Sequence, residues 1–288
     1  HVRSRRQRQM CIRDRQDTLN IFNLQSFTPS ALLKRSQMEV KVFNNLYSQT
    51  KGFDENRKKQ NQNSRSSYFG SFLQMSYGKS SRLTIGVDAY LRSVRLDDVN
   101  SSPFGLFAFE KSAEQRTTIS KIGPKVKFLP FKNIKRLSIQ STFLFPIANN
   151  LEGVNDNTLP WLDWDTYTWL NQLFWDKALS QKWQVFTAFE TYLRIPRKSY
   201  NETLLFTSPI KGFLSYFPTK KITLYTMAEW GPTWGKSPLI SNFYSQIGIG
   251  GKIQLHRRFE IEALTSHFPF GKSQGAGNTY NFGMRYLH

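Results

Sequence analysis

The chain has 288 residues, carries a formal net charge of +20 and is rich in rings, with 24 Phe, 12 Tyr and 7 Trp. No stretch approaches the roughly eighteen continuous apolar residues that a membrane-crossing helix needs, so a helical span is excluded, whereas a β-barrel, whose strands alternate apolar and polar, is not. One cysteine cannot pair within the chain, so a disulfide framework is excluded too.

The first fifteen residues, HVRSRRQRQMCIRDR, hold six arginines and that cysteine. A basic n-region needs an apolar run behind it to act as a secretory signal, and the next stretch, QDTLNIFNLQSFTPS, supplies none. A basic arm is the reading from charge alone. Residues 5–14, RRQRQMCIRD, are similar to the translation of a transposase adapter used in sequencing libraries, and the flanks fit the adjoining primer and index. That resemblance implies that residues 1–15 are non-native, that Cys11 goes with them, and that the natural start, with any export signal, is missing.

From Gln37 onward the pattern has a period of two. In RLTIGVDAYLR, Leu83, Ile85, Val87, Ala89 and Leu91 fall on one face and Thr84, Gly86, Asp88, Tyr90 and Arg92 on the other; FYSQIGIGGKIQLH divides in the same way. The pattern predicts twelve strands, near 37–51, 65–78, 82–95, 116–130, 135–148, 164–177, 183–196, 207–217, 222–234, 242–256, 259–268 and 278–288. Most exceed the usual soluble-protein strand of about 5–6 residues and suit a tilted transmembrane strand of about 9–11.

The connectors alternate in length. GKSS, PFKN, LSQK, PTKK and HRR are tight turns; FDENRKKQNQNS, LDDVNSSPFGLFAFEKSAEQ, NNLEGVNDNTLPWLD, RKSYNETLLF, GKSPLIS and PFGKSQGAGN are longer links. Short turns on one side and long loops on the other predict an all-β, up-and-down antiparallel transmembrane barrel, with the short turns periplasmic and the long loops extracellular. The last stretch, NTYNFGMRYLH, alternates Tyr280, Phe282, Met284 and Tyr286 against Asn281, Gly283 and Arg285.

Over residues 37–288 this pattern resembles the Gram-negative outer-membrane β-barrels of porin-like or transporter-like kind. The final strand is similar to the one that barrel-assembly machinery recognises, except that it finishes on His288 rather than an aromatic. The resemblance implies an outer-membrane location, outer-membrane lipid, lipopolysaccharide and the assembly machinery as partners, and passage of small hydrophilic solutes. Residues 16–36 are then a lumen plug or a periplasmic tail.

If the apolar faces meet lipid, then Glu39, Lys41, Asp88, Arg92, Lys121, Lys125, Lys127, Glu190, Arg194, Glu229, Lys252, Glu260, Glu262 and Arg285 point inward. Two readings of that set stay open: a self-neutralising ladder of ion pairs filling the barrel, or a conducting lumen whose basic excess prefers anionic solutes. The tryptophans in WLDWDTYTWLNQLFW, with Trp183, Trp230 and Trp234, read as an interfacial girdle or, alternatively, a sugar-stacking platform. Outer-membrane phospholipases need His and Ser on one outer face, yet Ser266 and His267 are strand neighbours and point apart. No transition-metal spacing occurs and no cofactor is called for; Asp54, Glu55, Asp97 and Asp98 are loop carboxylates, solvated or bound to calcium. The charge run NRKKQNQNSR reads as a solvated loop that meets lipopolysaccharide phosphates. Basic residues outside the opening stretch are spread too evenly for a nucleic-acid patch. A non-conducting structural barrel and a soluble β-sheet binding protein are the competing classes.

Overall fold

A computed structural model describes residues 29–110, 112–134, 136–153, 159–197 and 204–288; segment 1–15, and residues 16–28 of the following segment, lie outside the described residues. The alternating stretches form strands in chain order: β1 (Met38–Phe53), β2 (Lys59–Ser80), β3 (Leu83–Asp98), β4 (Gln115–Phe128), β5 (Leu137–Pro146), β6 (Thr166–Ala178), β7 (Trp183–Pro196), β8 (Leu205–Thr207), β9 (Ile210–Thr219), β10 (Ile222–Trp234), β11 (Ile240–His256), β12 (Phe259–Lys272), β13 (Gln274–Gly275) and β14 (Asn278–Leu287). Antiparallel pairing runs around the wall and β14 returns to β1, with Arg285 opposite Lys41 and Asn281 opposite Asn45, so the sheet closes. β8 and β9 are two pieces of one wall strand between β7 and β10, and β13 is a rim pairing to β1, which leaves a closed barrel of twelve strands. Closure leaves no strand edge, so the wall satisfies its own backbone, as lipid requires.

The two faces differ as the period demands. Outward lie Met75, Ile85, Val87, Leu224, Ile249 and Phe282, all exposed, while Thr84, Asp88, Lys125 and Glu190 are buried inside. An apolar exterior on this scale far exceeds the few hundred Å² that soluble monomers show, and the fold is that of a transmembrane barrel. Tight turns at residues 81–82, 220–221 and 257–258 share one end with Met38 and Leu287; loops 99–114 and 147–165 leave the other.

A predicted connector and a predicted strand are corrected. The charge run is not a loop: Lys59, Gln60 and Asn61 pair with Phe53, Gly52 and Lys51, so only residues 54–58 turn. This hairpin stands beyond the apolar band, where both faces are wet and no alternation marks a strand. Asp54 closes it, accepting from the Lys58 amide at 2.8 Å and from Gln60 Nε2 at 3.1 Å, and the Gln60 bond, followed by that amide, holds its carboxyl below the usual range. The strand predicted over 207–217 is broken at Ser208-Pro209, because Pro209 has no amide to donate to the ladder. Pairing resumes at once, with the Ser208 amide donating to the Pro232 carbonyl at 3.0 Å.

Candidate functional site

The predicted inward residues fall into two groups along the barrel axis. In the short-turn half, Glu39 lies 3.0 Å from Lys41 and 2.6 Å from Arg285, and Lys252 lies 3.2 Å from Glu262, which also accepts the Tyr225 hydroxyl. Glu260 borders the same region. Among the described residues, spaces of about 170 and 220 Å³ lie there, and Pro29 lines both. Residues 29–37 cross this half. Lys127 donates to the carbonyls of Pro29 and Ala31, the Ser30 hydroxyl reaches Asp176, and the Leu33 amide donates to Thr84 Oγ1 at 3.3 Å. Ser36 and Gln37 exchange backbone bonds with Gly78 at 2.8 and 2.9 Å. A Cβ on Gly78 would stand 1.9 Å from the Lys34 carbonyl oxygen, so this crossing needs glycine.

The upper half is open. A cavity of about 790 Å³ runs from Gln49 and Gln274 at the long-loop rim to Gln74 and Gln172, lined by Asp88, Arg92, Lys121, Glu190, Arg194 and Glu229 among others. Asp88 is bridged by Lys125 at 2.5 Å. Glu190 and Glu229 share Lys211 at 3.3 and 3.5 Å and accept the hydroxyls of Tyr192 and Tyr244 at 2.8 and 2.6 Å. Arg92 and Lys121 face Asp163 at 3.6 and 3.9 Å, and Lys121 also donates to Thr168 Oγ1 at 3.0 Å. Arg194 differs from these. It donates to Thr207 Oγ1 at 2.9 Å and lies over the rings of Tyr192 and Trp164 at 5.2 and 5.9 Å, and among the described residues it has no carboxylate at ion-pair distance.

Asp163 comes from loop 147–165, whose described residues, 147–153 and 159–165, fold inward. Arg116 donates to the carbonyls of Pro160 and Asn150 at 2.9 and 2.7 Å, Arg197 pairs with Asp165 at 2.7 Å, and Leu151 and Leu162 pack against inward-facing Val94 and Tyr68. Sequence reasoning missed Asp163, Lys211, Tyr192 and Tyr244, and took Trp164 with the other tryptophans of its stretch as girdle or stacking platform. Lys211 was legible, since Ile210, Lys211 and Gly212 continue an alternation; Asp163 was not, because an inward-folded loop has no period.

The tryptophans divide. Trp169, Trp175, Trp183 and Trp230 are exposed on the outer face, as a girdle requires, whereas Trp161 and Trp164 contact each other at 5.6 Å beside the upper cavity. Ser266 is buried inside against Thr279, and His267 faces out to Asn278 at 2.8 Å, so the two do not meet. Asp97 is taken by Arg95 at 2.9 Å, and among the described residues no group of three His, Cys, Asp or Glu could hold a metal.

No family model matches the chain, and no curated protein is similar enough in sequence to count as a relative. The fold is similar to an outer membrane channel of Pseudomonas putida F1, called COG4313, with a TM-score of 0.65 and 10% identity over 90% of this chain and 97% of that one. It is also similar to the β domain of the Bordetella autotransporter BrkA, with a TM-score of 0.54 and 8% identity over 87% of this chain and 99% of that one. At such identities the likeness is one of fold. A channel and an autotransporter domain share it, so function rests on the lumen's own side chains.

Proposed function

We propose that the chain is an outer-membrane pore for small hydrophilic solutes, surrounded by lipid and lipopolysaccharide and inserted by barrel-assembly machinery that reads β14. The single observation that carries this reading is the polar cavity of about 790 Å³ in the upper lumen. Its wall offers cations, carboxylates, hydroxyls and rings together, which suits brief multipoint contact with a hydrated solute and supplies no nucleophile–base pair. Its cations Arg92, Lys121, Arg194 and Lys211 are matched by Asp88, Asp163, Glu190 and Glu229, so the basic excess of the whole chain does not extend to the cavity. Any preference for anions rests on Arg194, the cation among these without a carboxylate at ion-pair distance.

On this reading residues 29–37 are the plug that narrows the periplasmic half. Purified protein in a planar bilayer tests the proposal: steady conductance with weak ion preference is expected, rising in Gly78→Ala, where the added Cβ displaces the Lys34 carbonyl. Silence at every voltage in both proteins returns the chain to the class of structural barrels.

A further inference from the structure

The loop at 99–114 contains an unusually apolar run for a connector, PFGLFAF, and it does not fold into the lumen. It lies on the outside of the wall. The outward positions of β1, β2 and β3 are apolar and exposed through Met75, Ile85 and Val87 but turn to serine higher up, where Ser67 and Ser93 are only 1% exposed. What covers them is the 3-10 turn Pro103–Ala108, whose Leu106 is fully buried.

Two outward arginines tether it. Arg95 donates to the Gly105 carbonyl at 3.1 Å and pairs with Asp97 and Glu110 at 2.9 and 3.0 Å, while Arg65 donates to the Val99 carbonyl and to Ser48 Oγ, both at 3.0 Å. The loop therefore shields a polar patch of the outer wall and turns rings outward in its place. Phe104, Phe107 and Phe109 are 54%, 42% and 48% exposed. They continue the wall's own aromatic surface, Phe107 meeting outward Phe69 at 5.2 Å and Phe104 meeting outward Tyr280 at 5.9 Å. Tyr280 begins the exposed apolar series Phe282, Met284 and Tyr286 on β14, so the three rings extend the lipid-facing band without a break.

We infer that loop 99–114 is a lateral anchor whose Phe104, Phe107 and Phe109 insert into the acyl chains of the outer leaflet. This rests on the outer-membrane reading above. A ring cluster in contact with the hydrocarbon band gains by burial in acyl chains, whereas an ordinary extracellular loop is polar and wet. Aromatic girdles flank the apolar band of such barrels, and these rings would extend one of them.

The test uses nitroxide labels in a Cys11→Ser chain reconstituted in phospholipid vesicles, with power saturation by oxygen or by a water-soluble nickel chelate. Phe107→Cys is compared with Ile249→Cys on the wall and Arg57→Cys in the exposed turn, and heat-modifiable gel mobility verifies that each variant folds. The expected result is an oxygen-to-nickel ratio at Phe107 shifted to the Ile249 value. A ratio at the Arg57 value, with Ile249 still lipidic, overturns the anchor alone. Nickel access at both Phe107 and Ile249 overturns the membrane reading with it. Dipolar broadening between Phe107 labels of two copies means that a second chain covers the rings, which also overturns the anchor. Phe104→Ser with Phe109→Ser, carrying the same label, should lose the oxygen shift if the rings hold the loop in the leaflet.

Discussion

Loops 99–114 and 147–165 leave the same end of the wall and settle on opposite sides of it. Val94 and Arg95, adjacent on β3, explain how. A strand's period of two sends Val94 inward, where Leu151 and Leu162 pack on it, and Arg95 outward, where it holds Gly105, Asp97 and Glu110. Each loop therefore reverses the chemistry of the face it covers: apolar contacts lie inside, where the lumen is polar, and ionic contacts lie outside, where the wall is apolar. The destination of a long loop is set by the last few wall residues beneath it, not by its length.

Disrupting the inner contact should have the largest effect. Leu162→Asp places a carboxylate in the Val94–Leu151–Leu162 cluster, and an unpaired buried charge there costs on the order of several kcal/mol. The loop is then more stable out of the lumen, taking Asp163 with it, so the anion-to-cation permeability ratio, read from reversal potentials, should rise while the melting temperature of the barrel barely moves. An unchanged ratio would mean that Asp163 does not meet the permeating ions. Arg95→Ala addresses the outer loop. It removes one half-buried fork that serves a carbonyl and two carboxylates, one of them exposed, at about 1–2 kcal/mol. Chymotrypsin should then nick folded protein within 99–114 while conductance stays as it was; a conductance change would tie the outer loop to the pore. Arg194→Gln leaves both loops in place and acts on permeation only. Loss of one unpaired charge in a wet lumen is worth about 0.5–1 kcal/mol, so the anion-to-cation permeability ratio, read from reversal potentials, should fall about two- to fivefold.

How far the sequence reached follows the same boundary. Within the apolar band, alternation alone placed Asp88, Lys125, Glu190 and Lys252 on the inner face and Ile85, Val87 and Ile249 on the outer, because lipid on one side and water on the other impose a period. Above the band the signal ended. Lys59 and Gln60 form strand without any alternation, since both faces are solvated. PFGLFAF and PWLDW each put a proline, a leucine and rings into a connector, yet one lies outside and the other inside, as the wall residues facing them dictate. Pairing partners were equally hidden: Glu39 and Arg285 sit at opposite ends of the chain and meet at 2.6 Å only because β1 and β14 close the barrel.

The smallest expected effect is the sharpest comparison, because it uses one hydroxyl on each side of the wall. Ser93 Oγ, on a buried residue beneath the outer loop, lies 2.6 Å from Thr117 Oγ1 on an exposed one. Thr168 Oγ1 accepts from Lys121 at 3.0 Å at the border of the upper cavity. Ser93→Ala removes the buried half of that hydrogen bond and should loosen the outer loop by about 0.5–1 kcal/mol, which appears as a chymotrypsin nicking rate about two- to fivefold higher. Thr168→Ala leaves buried Lys121 with Thr166 Oγ1 at 3.4 Å and Asp163 at 3.9 Å beside the cavity, and these together with cavity water substitute for the lost acceptor. Neither nicking nor conductance should change measurably. Equal sensitivity at the two sites would show that the outer loop is as wet as the lumen, and the contrast between the two faces would then lie in sequence alone.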